Sequence, residues 1–347
     1  MTALIEADLL GDDSDATDRN YGFARYLATK VGGALISLIL VILSGFFLFR
    51  IIPGDPVGEL THGQAISVAQ KQHLRHQLGL DRPWYGQFFS YLKSVLTGDF
   101  GTSFKYSKPV SQLITERLWP TILLVGSATI LAIIIGLWLG TRAAWKQGSA
   151  FDRTHTSIAL TLWSMPTFWF GLILLMVFGV GVGPIPGMFP TGGMSSPTAP
   201  PGFFHHIWDV FHHLVLPCIT LVAVVYAQNL LVMRSSLLDE MGSDYLTTAR
   251  AKGLRDDVVR RRHAVPNALL PTVTLVFLQL GFVVSGAVTV EVVFSWPGLG
   301  SLLYDGISVP DQPLLQGTFI VFSAAVIVMN VLADIVYRFI DPRVRAV

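Results

Sequence analysis

Residues 243–271 read SDYLTTARAKGLRDDVVRRRHAVPNALLP. The stretch begins polar, becomes strongly basic at Arg260, Arg261 and Arg262, and carries one glycine, Gly253, near its middle. On either side the chain turns apolar, over 211–233 before it and 269–294 after it. A helix needs about 20 apolar residues to cross the ~30 Å hydrocarbon core of a bilayer. The polar stretch is therefore a connection outside the membrane, held between two crossings.

The rest of the chain fits that frame. The 347 residues are 52% hydrophobic and 14% charged, whereas soluble domains carry about 25% charged residues. Six segments satisfy the length rule for a crossing: 29–52, 119–141, 157–180, 211–233, 269–294 and 317–340. The expected fold class is an all-α membrane protein of six transmembrane helices. A formal net charge of +1 argues against a nucleic-acid partner. Cys218 is the single cysteine and lies in an apolar run, so it reads as a packing residue.

Orientation follows from Lys and Arg in the short connections. Residues 142–156 hold three, 234–268 hold seven and the C-terminal tail three, against none in 181–210 and 295–316. This asymmetry places 234–268 and both termini in the cytoplasm. Residues 1–26 are acidic and lack the positive start of a secretory signal, so they read as a cytoplasmic tail. Residues 53–118 form a long extracytoplasmic loop domain. Within it PWYGQFFSYLKSVL (83–96) places Trp84, Phe88, Leu92 and Leu96 at a spacing of four, one stripe of a helix. The stripe packs on the membrane portion or receives an outside partner. Loop 181–210, rich in Pro and Gly, reads as irregular.

Within the crossings, Pro166 and Pro217 each remove a helical hydrogen bond and are candidate kinks. Gly281, Ser285 and Gly286 give small-residue spacing suited to close helix approach. The sparse polar residues Gln228, Asn229, Gln279, Asn330 and Asp334 either bond between helices or line a solute path. A lone carboxylate at mid-bilayer costs at least about 2.5 kcal/mol, which places Glu291 and Asp334 near an interface or facing protein. Gln228, Asn229, Gln279, Ser285 and Glu291 are the candidate path residues.

The polar stretch itself reads as two short helices. Ser243 or Asp244 caps the first. Gly253 follows its last turn in the left-handed conformation that ends helices. Asp256 and Asp257 sit at the positive end of a second helix that stops near Pro266. Tyr245, Ala249 and Lys252 share a face, with Leu246 beside it. A small Ala249 suits a helix seated in the groove of a cytosolic protein; the alternative is a basic amphipathic helix lying on anionic lipid.

The run DYLTTARAKGL with RHAVPNALLP resembles the EAA loop of permease subunits from ABC importers, with Ala249 and Gly253 at the alanine and glycine of that pattern. The usual Glu-Ala-Ala stands here as Thr248-Ala249-Arg250. Four further stretches extend the resemblance: IPGDPV (52–57), LGLDRPWYGQF (78–88) with LTGDFGTS (96–103), VEVVFSWPGLG (290–300) and DPRVR (341–345). Together they are similar to the dipeptide/oligopeptide/nickel branch, and to its large-loop permease. The resemblance implies a bacterial plasma-membrane importer of short peptides. Its other parts would be a second permease, two ATPase subunits or domains, and an extracytoplasmic binding protein. Asp244, Tyr245, Leu246, Ala249, Arg250, Lys252 and Gly253 would couple this chain to the ATPases.

No Gly-Lys pair occurs in the sequence, so a phosphate-cradling Gly-x-x-x-x-Gly-Lys-Ser/Thr loop is absent. The chain is accordingly expected to be no enzyme and to bind no cofactor, with ATP and Mg held by its partners. His205, His206, His212 and His213 form two adjacent pairs that read as interfacial anchors rather than as a metal site. A proton- or sodium-coupled carrier would need a mid-membrane carboxylate, and a static channel subunit would not need the prepared cytoplasmic loop.

Overall fold

The computed structural model describes residues 25–48, 58, 67–77, 81–197 and 200–340. The acidic tail and the closing DPRVR lie outside the described residues. Helix α1 spans Arg25–Leu48. In the loop that follows, α2 is Val68–Gln77 and α3 is Trp84–Thr97. The remaining helices are α4 (Val110–Trp145), α5 (Ala150–Ser164), α6 (Thr167–Leu174, continued by a π turn to Val180), α7 (Phe203–Met241), α8 (Asp244–Ala251), α9 (Asp256–Val259), α10 (Val265–Val293), α11 (Leu299–Ser308) and α12 (Gln312–Ile340). A two-residue hairpin, Gly181–Val182 against Ile185–Pro186, follows α6. The loop 181–210 is thus not wholly irregular, and α7 takes up its last part, from Phe203.

Four of the described helices, α1, α4, α7 and α12, are long and apolar enough to cross a membrane, and the α5–α6 pair makes a fifth if counted as one span. The pair is bent by 105°. Pro166 causes the break: Met165 before it is extended (φ −84°, ψ 135°), as the ring of a following proline requires. Pro217, by contrast, lies inside a continuous α7. At 36 and 39 residues, α4 and α7 are ~54 and ~58 Å long, well beyond the hydrocarbon thickness, so their ends carry structure outside it.

These two helices form the spine. A Cβ at Gly136 would stand 2.6 Å from the Cβ of Asn229 and 2.8 Å from the Tyr226 carbonyl oxygen; one at Gly140 would stand 2.6 Å from the Leu230 carbonyl oxygen. The GLWLG spacing of α4 therefore brings the two backbones into contact, as small residues four apart do in membranes. Ala132, Ala227 and Leu230 close the interface around them.

Helix α3 packs on α1 through ring contacts of Phe88 and Tyr91 with Phe46, at 5.2 and 5.6 Å. The inward face is rotated from the predicted stripe. Phe88 and Leu92 are half-buried, whereas Trp84 and Leu96 at the helix ends are 61% and 76% exposed. Asp334 pairs with Lys30 at 2.8 Å, and its carbonyl accepts from the Tyr26 hydroxyl at 3.1 Å, tying α12 to α1. That carboxylate faces protein, as expected.

Candidate functional site

The polar stretch forms an elbow packed under the α4–α7 spine. Asp244–Ala251 is helical, Gly253 takes φ +78° as a left-handed terminator, and Asp256 starts the next helix. The second element differs from expectation. It does not stop at Pro266 but passes through a π turn at Arg260–Ala264 into α10. Pro266 is the second residue of α10, just past the π turn, so it interrupts the hydrogen-bond ladder locally without ending the helix. From Asp256 onward, the second half of the elbow and α10 are therefore one continuous helical segment, with the bend at Gly253 before it.

Leu246 (0% exposed) and Ala249 (7%) are buried in a cluster with Ala144 of α4, Met233 and Leu237 of α7, Val259, Ala264 and Ala268. This corrects the reading of Ala249. Its small side chain seats α8 on this chain's own membrane helices rather than in a partner's groove. The open face carries Asp244, Tyr245, Arg250, Lys252 and Gly253, with Leu254 40% exposed beyond them.

Polar contacts fix the elbow's angle. The Tyr245 hydroxyl donates to Glu240 at 2.5 Å and accepts from the Asn267 amide at 3.0 Å, linking the end of α7 to the start of α10. Burial and the bond to Glu240 push the Tyr245 phenol above its ordinary pKa of 10.0. The Trp145 indole at the end of α4 donates to Asp256 at 2.9 Å. Arg250 lies 3.5 Å from the same carboxylate, and the guanidinium groups of Arg250 and Arg260 lie 5.8 and 5.9 Å from the Trp145 ring. Beside the elbow, Arg234 of α7 grips Asp152 of α5 with two bonds, at 2.6 and 2.9 Å. Asp152 also accepts from the Gly148 N–H at 2.9 Å. Sequence reading missed this pair because 82 residues separate its members.

At the far end of α10 the stretch VEVVFSWPGLG makes a second junction. Glu291 has no exposed surface. One carboxylate oxygen accepts from the Thr121 hydroxyl at 2.8 Å and the other from the Ser301 N–H at 2.9 Å. Thr121 in turn accepts from the Leu299 N–H at 2.7 Å, and the Trp296 indole donates to the Pro120 carbonyl at 2.9 Å. A Cβ at Gly298 would stand 2.2 Å from the Glu291 carboxyl carbon. The glycine is thus the space the carboxylate occupies.

The candidate path residues divide. Glu291 is fully buried, and its carboxyl group is held in this junction by Thr121 and Ser301. Asn229 is fully buried against Gly136, between α4 and α7, and neither polar atom of its side chain has a hydrogen-bond partner among the described residues. It too belongs to the helix interface. Gln228 is half-buried. The side chains of Gln279 and Ser285 lie outside the described residues. Among the described residues no group of three or more His, Cys, Asp or Glu is placed to hold a metal ion.

A bundle of long apolar helices with a polar elbow running into α10 has the architecture of a multi-pass integral membrane protein. The chain belongs to the family of binding-protein-dependent transport system inner membrane components, whose profile matches residues 119–346. A second profile, for the N-terminal part of such membrane components, matches residues 23–125. The chain is 36% identical over 334 residues to the dipeptide transport system permease protein DppB of Escherichia coli K12, covering 92% of this chain and 98% of that one. It is 36% identical over 320 residues to the glutathione transport system permease protein GsiC of Salmonella choleraesuis, with the same coverage. Among solved structures it resembles the MetNI methionine ABC transporter in inward-facing form. The TM-score is 0.53 and identity 17%, over 66% of this chain and 97% of that chain. That likeness is one of fold.

Proposed function

We infer that this chain is a permease subunit of an ABC importer that moves short peptides across the bacterial plasma membrane. The observation that carries the reading is the elbow of residues 244–264. It is anchored by Leu246 and Ala249 to the spine, continuous with α10, and open on its polar side in a chain that is 36% identical to dipeptide and glutathione permeases over nearly its whole length. The chain has no phosphate-binding loop of its own. The energy source is therefore ATP hydrolysed by two partner ATPase subunits or domains, which dock on Asp244, Tyr245, Arg250 and Lys252. A second permease completes the path, and an extracytoplasmic binding protein delivers the peptide to the outer loops. Nickel or another small solute of the same branch is the alternative cargo.

The mechanism follows from how the elbow is joined. Movement of α8 by an ATPase cannot be absorbed locally, because Leu246 and Ala249 are packed into the membrane helices and the π turn runs directly into α10. The displacement passes along α10 to the Glu291 junction and so to α11 on the opposite side. Packed interfaces of this kind have discrete arrangements, so coupling is a population shift between two packings of the helices. The test is uptake of a radiolabelled dipeptide into proteoliposomes holding this chain with its co-purifying subunits. Uptake that requires both ATP and a binding protein supports the reading. Uptake driven by a proton or sodium gradient without ATP defeats it.

A further inference from the structure

A cavity of about 640 Å³ opens between α4 and the junction of the π turn with α10. Four cations line one end of it: Arg142 of α4, Lys146 just past the end of that helix, and Arg260 and Arg261 of the π turn. Among the described residues none of the four makes an ion pair; the nearest aromatic contacts are Arg142 over the Trp138 ring at 5.1 Å and Arg260 over Trp145 at 5.9 Å. No carboxylate lines the cavity. Its other end is apolar, built by Ile134, Leu137 and Trp138 of α4 with Val265 and Leu269 of α10. Ile134 and Trp138 are 60% and 56% exposed on a helix that spans the membrane.

We propose that this cavity is a binding site for an anionic phospholipid, with the phosphate held by Arg142, Lys146, Arg260 and Arg261 and an acyl chain lying along Ile134, Leu137 and Leu269. The dimensions fit. From Lys146 to Ile134 the helix rises ~18 Å, about one leaflet of a ~30 Å hydrocarbon core. Basic pockets between membrane helices on the cytoplasmic side recognise acidic headgroups, and unpaired guanidinium groups suit the forked geometry of a phosphate. The lipid explains four uncompensated positive charges converging at the edge of an apolar slot, which a zwitterionic or wholly apolar occupant does not. The site depends on membrane embedding alone and is independent of the cargo.

The experiment is native mass spectrometry of the full chain released from nanodiscs of palmitoyl-oleoyl phosphatidylglycerol and phosphatidylcholine in equal parts. The wild type should retain phosphatidylglycerol at least about fivefold over phosphatidylcholine, ~1 kcal/mol by the relation between free energy and affinity. The variant Arg142→Gln/Lys146→Gln/Arg261→Gln should lose that preference, and Arg142→Lys/Arg261→Lys, which keeps the charge without the fork, should retain more of it than the Gln variant. Leu137→Trp, which fills the apolar end and leaves every charge, should displace the lipid. Equal retention of both lipids by the wild type overturns the proposal, as does displacement by chain-free glycerophosphoglycerol as readily as by the intact lipid. So does protection of Lys146 from amine labelling by a partner subunit rather than by phosphatidylglycerol. The wild-type arms need no variant to fold.

Discussion

Thr121 and Glu291 meet at 2.8 Å across 170 residues of chain, and the same threonine oxygen accepts the Leu299 N–H at 2.7 Å. One hydroxyl thus serves as donor to a buried carboxylate and as acceptor for the start of α11. Ser301 takes the other carboxylate oxygen, so α4, α10 and α11 are joined at a single point.

Replacing Thr121 by Val keeps the shape and removes both bonds. It leaves an N–H and a carboxylate oxygen unpaired in the protein interior, a loss of about 1–3 kcal/mol for each such group. Thr121→Ser should retain most of the stability. The melting temperature of the detergent-solubilised protein, followed by circular dichroism, should fall for Val and not for Ser. Equal melting of the two variants would show that the junction contributes no stability. Glu291→Ala should also destabilise; unchanged melting with lost uptake would instead return Glu291 to a role in the path.

The glycine pair of α4 supplies a sharper contrast. Gly136→Leu or Gly140→Leu forces a Cβ to within 3 Å of the α7 backbone or Asn229, and overpacking of this kind costs typically 1–3 kcal/mol. A Cβ at Gly126, in the same helix, meets nothing within 4 Å. Gly126→Ala should therefore be neutral, while Gly136→Leu should lower the yield of monodisperse protein in size-exclusion chromatography. Similar yields for both substitutions would refute the close approach of α4 and α7.

Much of this architecture is legible in the sequence and some is not, for physical reasons. Crossings are set by long apolar runs, a one-dimensional property, and the break at Pro166 by local sterics. Gly253 announces its own φ. The direction a helix faces is a property of its neighbours. Leu246 and Ala249 on α8, and Trp84 and Leu96 on α3, share apolar character with residues that turn the other way. Gly136 and Gly140 are invisible until a partner helix lies against them. Glu291 reads as a candidate path residue in the sequence because only the fold reveals Thr121 and Ser301 bonded to its carboxyl group.

Gly253 tests the lever of the proposed mechanism. It holds φ +78° with nothing within 4 Å of a would-be Cβ, so a substitution there is strained by backbone conformation and not by collision. A β-branched residue in this region costs about 1–2 kcal/mol or more. Gly253→Val should reset the angle between α8 and α9, leave membrane insertion intact and reduce uptake per ATP hydrolysed. Gly253→Asn, which tolerates the left-handed region, should come closer to wild type. Normal coupling in the Val variant would argue against a bend fixed at this residue.

The last prediction concerns pH and the clasp where Asp305 of α11 bonds to the Lys105 ammonium and the Tyr106 hydroxyl of the loop between α3 and α4. Burial alone would raise the Asp305 carboxyl, but the bonds from Lys105 and Tyr106 outweigh it and hold the group below its ordinary 3.8. Burial, followed by the bond to Asp305, pushes the Tyr106 phenol from 10.0 up to about 12. A depressed carboxylate contributes stability above its unfolded value and loses it as pH falls through the folded one; a raised phenol contributes below 10.0 and loses it as pH climbs toward 12. The melting-temperature advantage of wild type over Asp305→Asn should therefore be constant from about pH 5 to 9 and fade below the ordinary carboxylate range. The advantage over Tyr106→Phe should instead fade in strong alkali. A wild-type advantage over Asp305→Asn that persists undiminished at pH well below the carboxylate range would mean that the clasp does not rest on the charged form of Asp305.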